Sequence, residues 1–235
     1  MKNLHFSLLL AAFMIFIASC QKPEQGGDEQ GGKTPLLESV TIDVDLKSSS
    51  ATAVVFSSDI NLGGASSMPL NVFMRYSLSE SMTGDDVKTV KLKAGASEVK
   101  LTGLVFGRDY YYETYVELYE TEYNKVRNSF KTQNLEVEMN EPELSLHDVR
   151  LTGRLKGYGA DDKGEISLAM VIAESYGYEQ THKAEIADDG SYAVTVSGLD
   201  IATQYQYKGV VSQGELKTVE GTVKTLTTSD PYKDA

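Results

Sequence analysis

One segment of this chain occurs twice, and that repeat limits the fold more than any other feature. Val99-Lys100-Leu101-Thr102-Gly103-Leu104 and the residues up to Leu118 align without a gap on Val194-Thr195-Val196-Ser197-Gly198-Leu199 up to Gln213, an offset of 95. Gly103 meets Gly198, Leu104 meets Leu199, Tyr110 meets Tyr205, Tyr112 meets Tyr207 and Val116 meets Val211. Beyond this block an offset of 93 sets Phe130-Lys131-Thr132 against Val223-Lys224-Thr225, which predicts a last hairpin two residues shorter in the second copy. A length change confined to a turn is what a strand-turn-strand unit tolerates. The chain therefore reads as two copies of one supersecondary unit.

Strand-like alternation fills both copies. In the first, strands are expected near 38–46, 51–58, 70–77, 87–92, 97–102, 109–118 and 124–132. In the second they are expected near 144–155, 166–174, 181–186, 191–197, 204–213 and 216–226. Valine, threonine and tyrosine abound, and no long period-3.6 apolar stripe follows the N-terminal leader, so the fold class is all-β. About seven short strands per copy suit an immunoglobulin-like sandwich. The resulting division is 1–19 leader, 20–34 tether, 35–134 first domain, 135–229 second domain and 230–235 tail. The polar stretch Gln133 to Asn140 is expected to join two independently folding units. Glu136, Glu138, Glu141 and Glu143 crowd that junction; a solvated face is the ordinary explanation, and mutual repulsion that keeps the linker extended is the other.

The spacings Leu104-x5-Tyr110 and Leu199-x5-Tyr205 resemble the end of strand E and start of strand F in fibronectin type III domains, whose pattern is Leu-x-Pro-x-Thr-x-Tyr. Thr203 matches the threonine, whereas Phe106, Ile201 and Arg108 replace pattern residues. Ser129-Phe130-Lys131-Thr132 resembles the closing strand. The resemblance implies tandem fibronectin type III-like sandwiches over roughly residues 35 to 229. In such a sandwich the corner tyrosine buries its ring and bonds its hydroxyl to backbone just upstream, which gives Tyr110 and Tyr205 structural roles.

Ahead of the repeat, Lys2 precedes an apolar run from Leu8 to Ala18, followed by Ser19 and Cys20. A charged start, a short apolar stretch and small residues before a cysteine describe a cleaved secretory signal rather than a membrane span of ~20 residues. The Ala18-Ser19-Cys20 sequence resembles the lipobox of bacterial lipoproteins, which implies that Cys20 carries lipid. Tandem modules behind such a box look like surface lipoproteins of Bacteroides-type bacteria, anchored in the outer membrane. Gln21 to Thr34 contains Gly26-Gly27, Gly31-Gly32 and three acids, the composition of a flexible tether. Cys20 is the only cysteine, so the body must be stabilised by burial without disulfides.

Strand F of the first copy, Asp109 to Tyr119, is the sequence most suggestive of a ligand. With Tyr110, Tyr112 and Val116 inward, period-2 alternation places Tyr111, Glu113, Tyr115, Glu117 and Tyr119 on the outer face. The second copy has Gln206, Lys208, Val210 and Ser212 on the equivalent face. Three readings are open. The rings and acids suit cross-strand packing under Arg75, Lys125 or Arg127; they suit a protein interface; and they suit a glycan, whose C–H faces stack on rings. There is no tryptophan, so stacking would fall to the 14 tyrosines.

Other chemistry is poorly supplied. Asp85-Asp86, Asp161-Asp162 and Asp188-Asp189 lack calcium-loop spacing and read as turn residues. His147 and His182 fall in different strand regions, and no Gly-x-Ser-x-Gly elbow occurs, so neither enzyme activity, a metal nor a cofactor is expected. A net charge of −12 disfavours nucleic acid. Residues 35–134 carry 13 acids and 10 bases, residues 135–229 carry 16 and 8. The expected role is a membrane-anchored binding or scaffold protein with an envelope or surface protein partner, the alternative being glycan capture for polysaccharide uptake.

Overall fold

The computed structural model describes residues 37–174, 177 and 179–231. Cys20, the leader and the tether lie outside the described residues, as do the last four positions. Among the described residues no helix is long and apolar enough to cross a membrane.

After a 3-10 turn, Leu37–Ser39, the first sandwich runs through β1 (Thr41–Ser49), β2 (Val54–Asn61), β3 (Asn71–Ser77), β4 (Lys88–Leu92), β5 (Gly95–Leu101), β6 (Asp109–Leu118) and β7 (Thr121–Lys131). One sheet has the order β1-β2-β5 and the other β4-β3-β6-β7, all antiparallel. This is the fibronectin type III-like arrangement. Alternate residues of both sheets meet between them, as period-2 patterning requires. Phe56 lies at the centre, 5.2 Å from Tyr112 and 5.4 Å from Phe130, and Tyr110 stacks on Phe130 at 5.3 Å.

The second sandwich consists of β8 (Glu136–Met139), β9 (Glu143–Leu144), β10 (Asp148–Lys156), β11 (Ser167–Glu174), β12 (Glu179–Ile186), β13 (Ser191–Ser197), β14 (Gln204–Gln213), β15 (Lys217–Glu220) and β16 (Lys224–Thr227). β10 lies between β13 and the short pair β8 and β9, while β11 lies between β12 and β14. β12 also touches β13 through Glu185–Ala193 and Ile186–Tyr192, joining the two layers along one side. Leu151 and Leu226 occupy the places of Phe56 and Phe130, so two leucines replace the central phenylalanines while Tyr192, Tyr205 and Tyr207 remain in the core.

Two expectations are corrected. The acid-rich stretch after Gln133 is not an extended linker: Glu136–Met139 is a strand paired to β10, with Val137 and Met139 turned to the core. The acids face solvent, as the ordinary reading of such a run has it, and Lys156 lies 3.8 and 3.9 Å from Glu136 and Glu138. The closing strand is also out of the expected register. Tyr110 pairs with Phe130 and Tyr205 with Leu226, so the offset rises to 96 there instead of falling to 93. The second copy has a longer turn after Gln213, and its last strand is broken into β15 and β16 at Gly221–Val223.

Candidate binding face and interdomain joint

Strand β6 brings the sequence-predicted residues together in part. Tyr111 is half-buried on the outer face, Glu113 is 1% exposed, Tyr115 is 6% exposed and Glu117 is half-buried. Tyr119 leaves the row: the strand ends at Leu118, and Tyr119 with Glu120 forms a two-residue turn at φ +48° and +62° that holds the tyrosine ring 79% exposed. Type I′ turns need positive φ at both central residues, which strains non-glycine residues.

Glu113 is not an accessible acceptor because two arginines hold it. Arg75 on β3 and Arg127 on β7 stand opposite it on either side, and each bonds one carboxylate oxygen. Burial opposes its ionisation, but hydrogen bonds from Arg127 and Arg75 outweigh burial and place its pKa below the ordinary value. Arg75 also reaches Glu122 at 3.0 Å and lies 4.9 Å above the centroid of Tyr115, whose ring meets Phe73 at 5.6 Å. A guanidinium over an aromatic face gains cation–π attraction while it serves its carboxylates. Burial raises the Tyr115 pKa.

The row is thus a packed cluster, the cross-strand arrangement that was one of the three readings of the sequence, with Arg75 and Arg127 on Glu113 and Arg75 over Tyr115. The accessible parts are Tyr111 and the half-exposed Arg127 and Lys125, with Lys91 beside Phe73 on β4. The corner tyrosines sit apart from this face. Val105 N–H donates to the Tyr110 hydroxyl and Asp200 N–H to the Tyr205 hydroxyl, both at 2.9 Å, and Tyr205 donates to Glu174 at 2.9 Å.

Sequence reasoning missed the joint between the sandwiches. The short turn after β10 carries Asp162, which has no solvent exposure. Its Oδ1 accepts from Thr52 N–H at 2.6 Å, Thr52 Oγ1 at 2.8 Å and Ser50 Oγ at 2.8 Å. Its Oδ2 accepts from Ala51 N–H at 3.2 Å and Gly159 N–H at 2.7 Å. A buried carboxylate is tolerated only when its oxygens are satisfied in this way. Beside it, Gln213 donates to Leu104 O at 2.8 Å and accepts from Phe106 N–H. Lys217 donates to Phe106 O at 2.8 Å and lies 4.4 Å above that ring. Burial, with the nearby charges of Arg108 and Lys131, lowers the Lys217 pKa.

Ala51 and Phe106, both from the first sandwich, belong to the second hydrophobic core. The two sandwiches fall within one compact unit rather than forming separate ones. Gly157 has φ +84°, and a Cβ there would strike Asn134 O, so the approach needs glycine. One sequence signal was available: Gln213 aligns with core Leu118, a polar side chain at an inward position. Asp162 gave none, because a paired aspartate in a turn usually serves its own loop.

No protein-family model matches the chain, and no curated protein matches it. Among solved structures the chain is similar to a two-domain fibronectin type III segment of chicken tenascin, at 10% identity and a TM-score of 0.36, over 81% of this chain and 99% of that one. It is also similar to the chicken interferon gamma receptor alpha chain, at 8% identity and a TM-score of 0.40, over 81% of this chain and 98% of that one.

Proposed function

We propose that this chain is a lipid-anchored scaffold of a bacterial envelope, held through Cys20 in the outer membrane and displayed at the cell surface, where the first sandwich binds a protein partner. The observation that carries the reading is the outer face of the β4-β3-β6-β7 sheet. Tyr111, Arg127, Lys125 and Lys91 remain accessible there around the Phe73–Tyr115 pair, on a chain of net charge −12. Tyrosine and arginine are enriched at protein interfaces; Arg127 and Lys125 are paired with Glu113 and Glu122 on this face, so Lys91 is the base that favours an acidic group on the partner. The glycan alternative loses support because Glu113, its central acceptor, is committed to two arginines. The joint supports a scaffold role, since a partner bound to one sandwich is held in fixed relation to the other.

A photoreactive residue at Tyr111, introduced into the full chain in its own cells, tests the reading. It should crosslink to an envelope protein, and the same probe at Asp43 on the opposite sheet should not. Equal crosslinking at both positions, or saturable retention on a glycan array with no protein adduct, would refute it. Anchoring is tested by palmitate labelling, expected for the natural chain and lost in Cys20→Ala.

A further inference from the structure

The described chain enters the first sandwich at one end, and the second sandwich covers the other. Leu37 O accepts from Asn124 Nδ2 at 2.7 Å and Ser39 Oγ from Gly64 N–H at 3.2 Å, which ties the entry to the start of β7 and to the loop after β2. From there the nine residues of β1 run to Ser49, next to the Ser50 that bonds Asp162, a rise of about 30 Å at ~3.3 Å per residue. Entry and joint therefore lie at opposite ends.

The entry end exposes apolar surface in two places. Tyr119, at the tip of the turn between β6 and β7, is the most exposed large hydrophobic side chain among the described residues. Its backbone and that of Glu120 hold a positive φ that glycine or asparagine would adopt at lower cost, and strain kept at such a site points to a use for the projecting ring. Across the same end, Leu62, Leu70, Val72 and Leu92 line an open groove beside exposed Lys91 and Lys93. Glu38, Glu117 and Glu120 share this end, so an anionic surface gains nothing from it. A phenol ring and an apolar groove with lysines at its side suit instead the boundary between zwitterionic headgroups and acyl chains, where aromatic rings settle and lysine stems lie along apolar surface with their ammonium groups in water.

We infer that the entry end of the first sandwich rests on the lipid surface, with the Tyr119 ring in the headgroup layer and the Leu62–Leu70 groove against it. The inference rests on the lipid anchor at Cys20 proposed above. The 17 positions from Cys20 to Leu37 span at most about 60 Å fully extended, so an acylated Cys20 keeps the entry end near lipid, and tethering populates a contact too weak to form from solution. The sandwich then stands upright. Its β4-β3-β6-β7 face is left pointing sideways, open to the protein partner, and the second sandwich is held away from the membrane.

One cysteine and no tryptophan in the chain allow a direct test. Residues 20–235 are coupled through the Cys20 thiol to a maleimide lipid in phosphatidylcholine vesicles, carrying either Tyr119→Trp or Leu146→Trp, the latter at the end of β10 away from Asp162. With brominated acyl chains in the vesicles, emission from position 119 should fall about twofold, as for a ring at the headgroup level, and emission from position 146 should not change. Equal quenching at both positions, or none at 119, would overturn the inference. Because tryptophan itself favours the interface, the natural chain is measured as well: amide exchange at Lys93, Ala94, Tyr119 and Glu120 should slow severalfold on coupling, and unchanged exchange overturns the inference. Chemical coupling supplies the anchor independently of acylation in cells, so these results judge the contact alone, while palmitate labelling judges the anchor.

Discussion

The Asp162 carboxylate lies 2.6 Å from the Thr52 amide, although 110 residues separate them and each belongs to a different copy of the repeat. That hydrogen bond and the three others from Ser50, Ala51 and the Thr52 hydroxyl make the joint a shared structure. Asp162→Ala should strand the Ala51, Thr52 and Gly159 amides and destabilise the chain by about 2 to 4 kcal/mol, since bonds to a charged group contribute ~1.5 to 3 kcal/mol each and do not add fully. Urea denaturation followed separately by probes in each sandwich should change from one transition to two.

Glu113 gives the first sandwich an acid-sensitive element. Its pKa is lower folded than unfolded, so the stability it confers is full above the ordinary carboxylate value and is lost as pH falls through the lower folded one. Glu113→Gln should therefore destabilise the chain at pH 7 and flatten the fall in stability on acidification, measured by denaturant titration across pH 7 to 3.

At the alkaline end the sign reverses. Burial, reinforced by Tyr207, pushes the Tyr192 pKa up from 10.0 to about 12. A raised folded pKa contributes stability that is complete below the unfolded value and is lost as pH rises through the folded one. Stability should decline between pH 10 and 12, and Tyr192→Phe should make that decline shallower, as read by ultraviolet titration alongside circular dichroism.

The tyrosines of strand β6 and its turn should separate by burial. Tyr115→Ala should cost about 2 to 4 kcal/mol, approaching the range for a buried aromatic, whereas Tyr119→Ala at 79% exposure should shift the melting temperature by no more than a degree or two. A double change at Tyr111 and Tyr115 thus cannot probe binding cleanly, and Tyr111 alone is the better test.

For the corner tyrosines, removing the hydroxyl should cost about 1 to 3 kcal/mol each, the penalty for an unsatisfied buried amide. Tyr205→Phe should exceed Tyr110→Phe in chemical denaturation, because it also loses the bond to Glu174.

The sandwich fold class and the inward set Tyr110, Tyr112 and Val116 were legible in the sequence because alternation and a gapless repeat are local, one-dimensional signals. Register in the last strand was not: Val223-Lys224-Thr225 and Leu226-Thr227-Thr228 are both plausible partners for Phe130-Lys131-Thr132, and only the ladder to Tyr205 separates them. The outer face was half legible. Period 2 placed Glu113 there, but its burial depends on Arg75 and Arg127 from two other strands. Asp162 was illegible, since its donors are mostly backbone amides, which carry no sequence signature.

The close approach of Gly157 to Asn134 also bears on how such a chain can evolve. Where modules are threaded on a loose connector, residues can be gained or lost between them and either module can be copied or exchanged alone. Here an insertion between Thr132 and Leu135 would pull Asp162 out of its socket, and a second half copied elsewhere would carry a carboxylate with no donors. The two halves are therefore expected to travel as a pair through recombination, with the boundary between them among the positions least tolerant of a change in length.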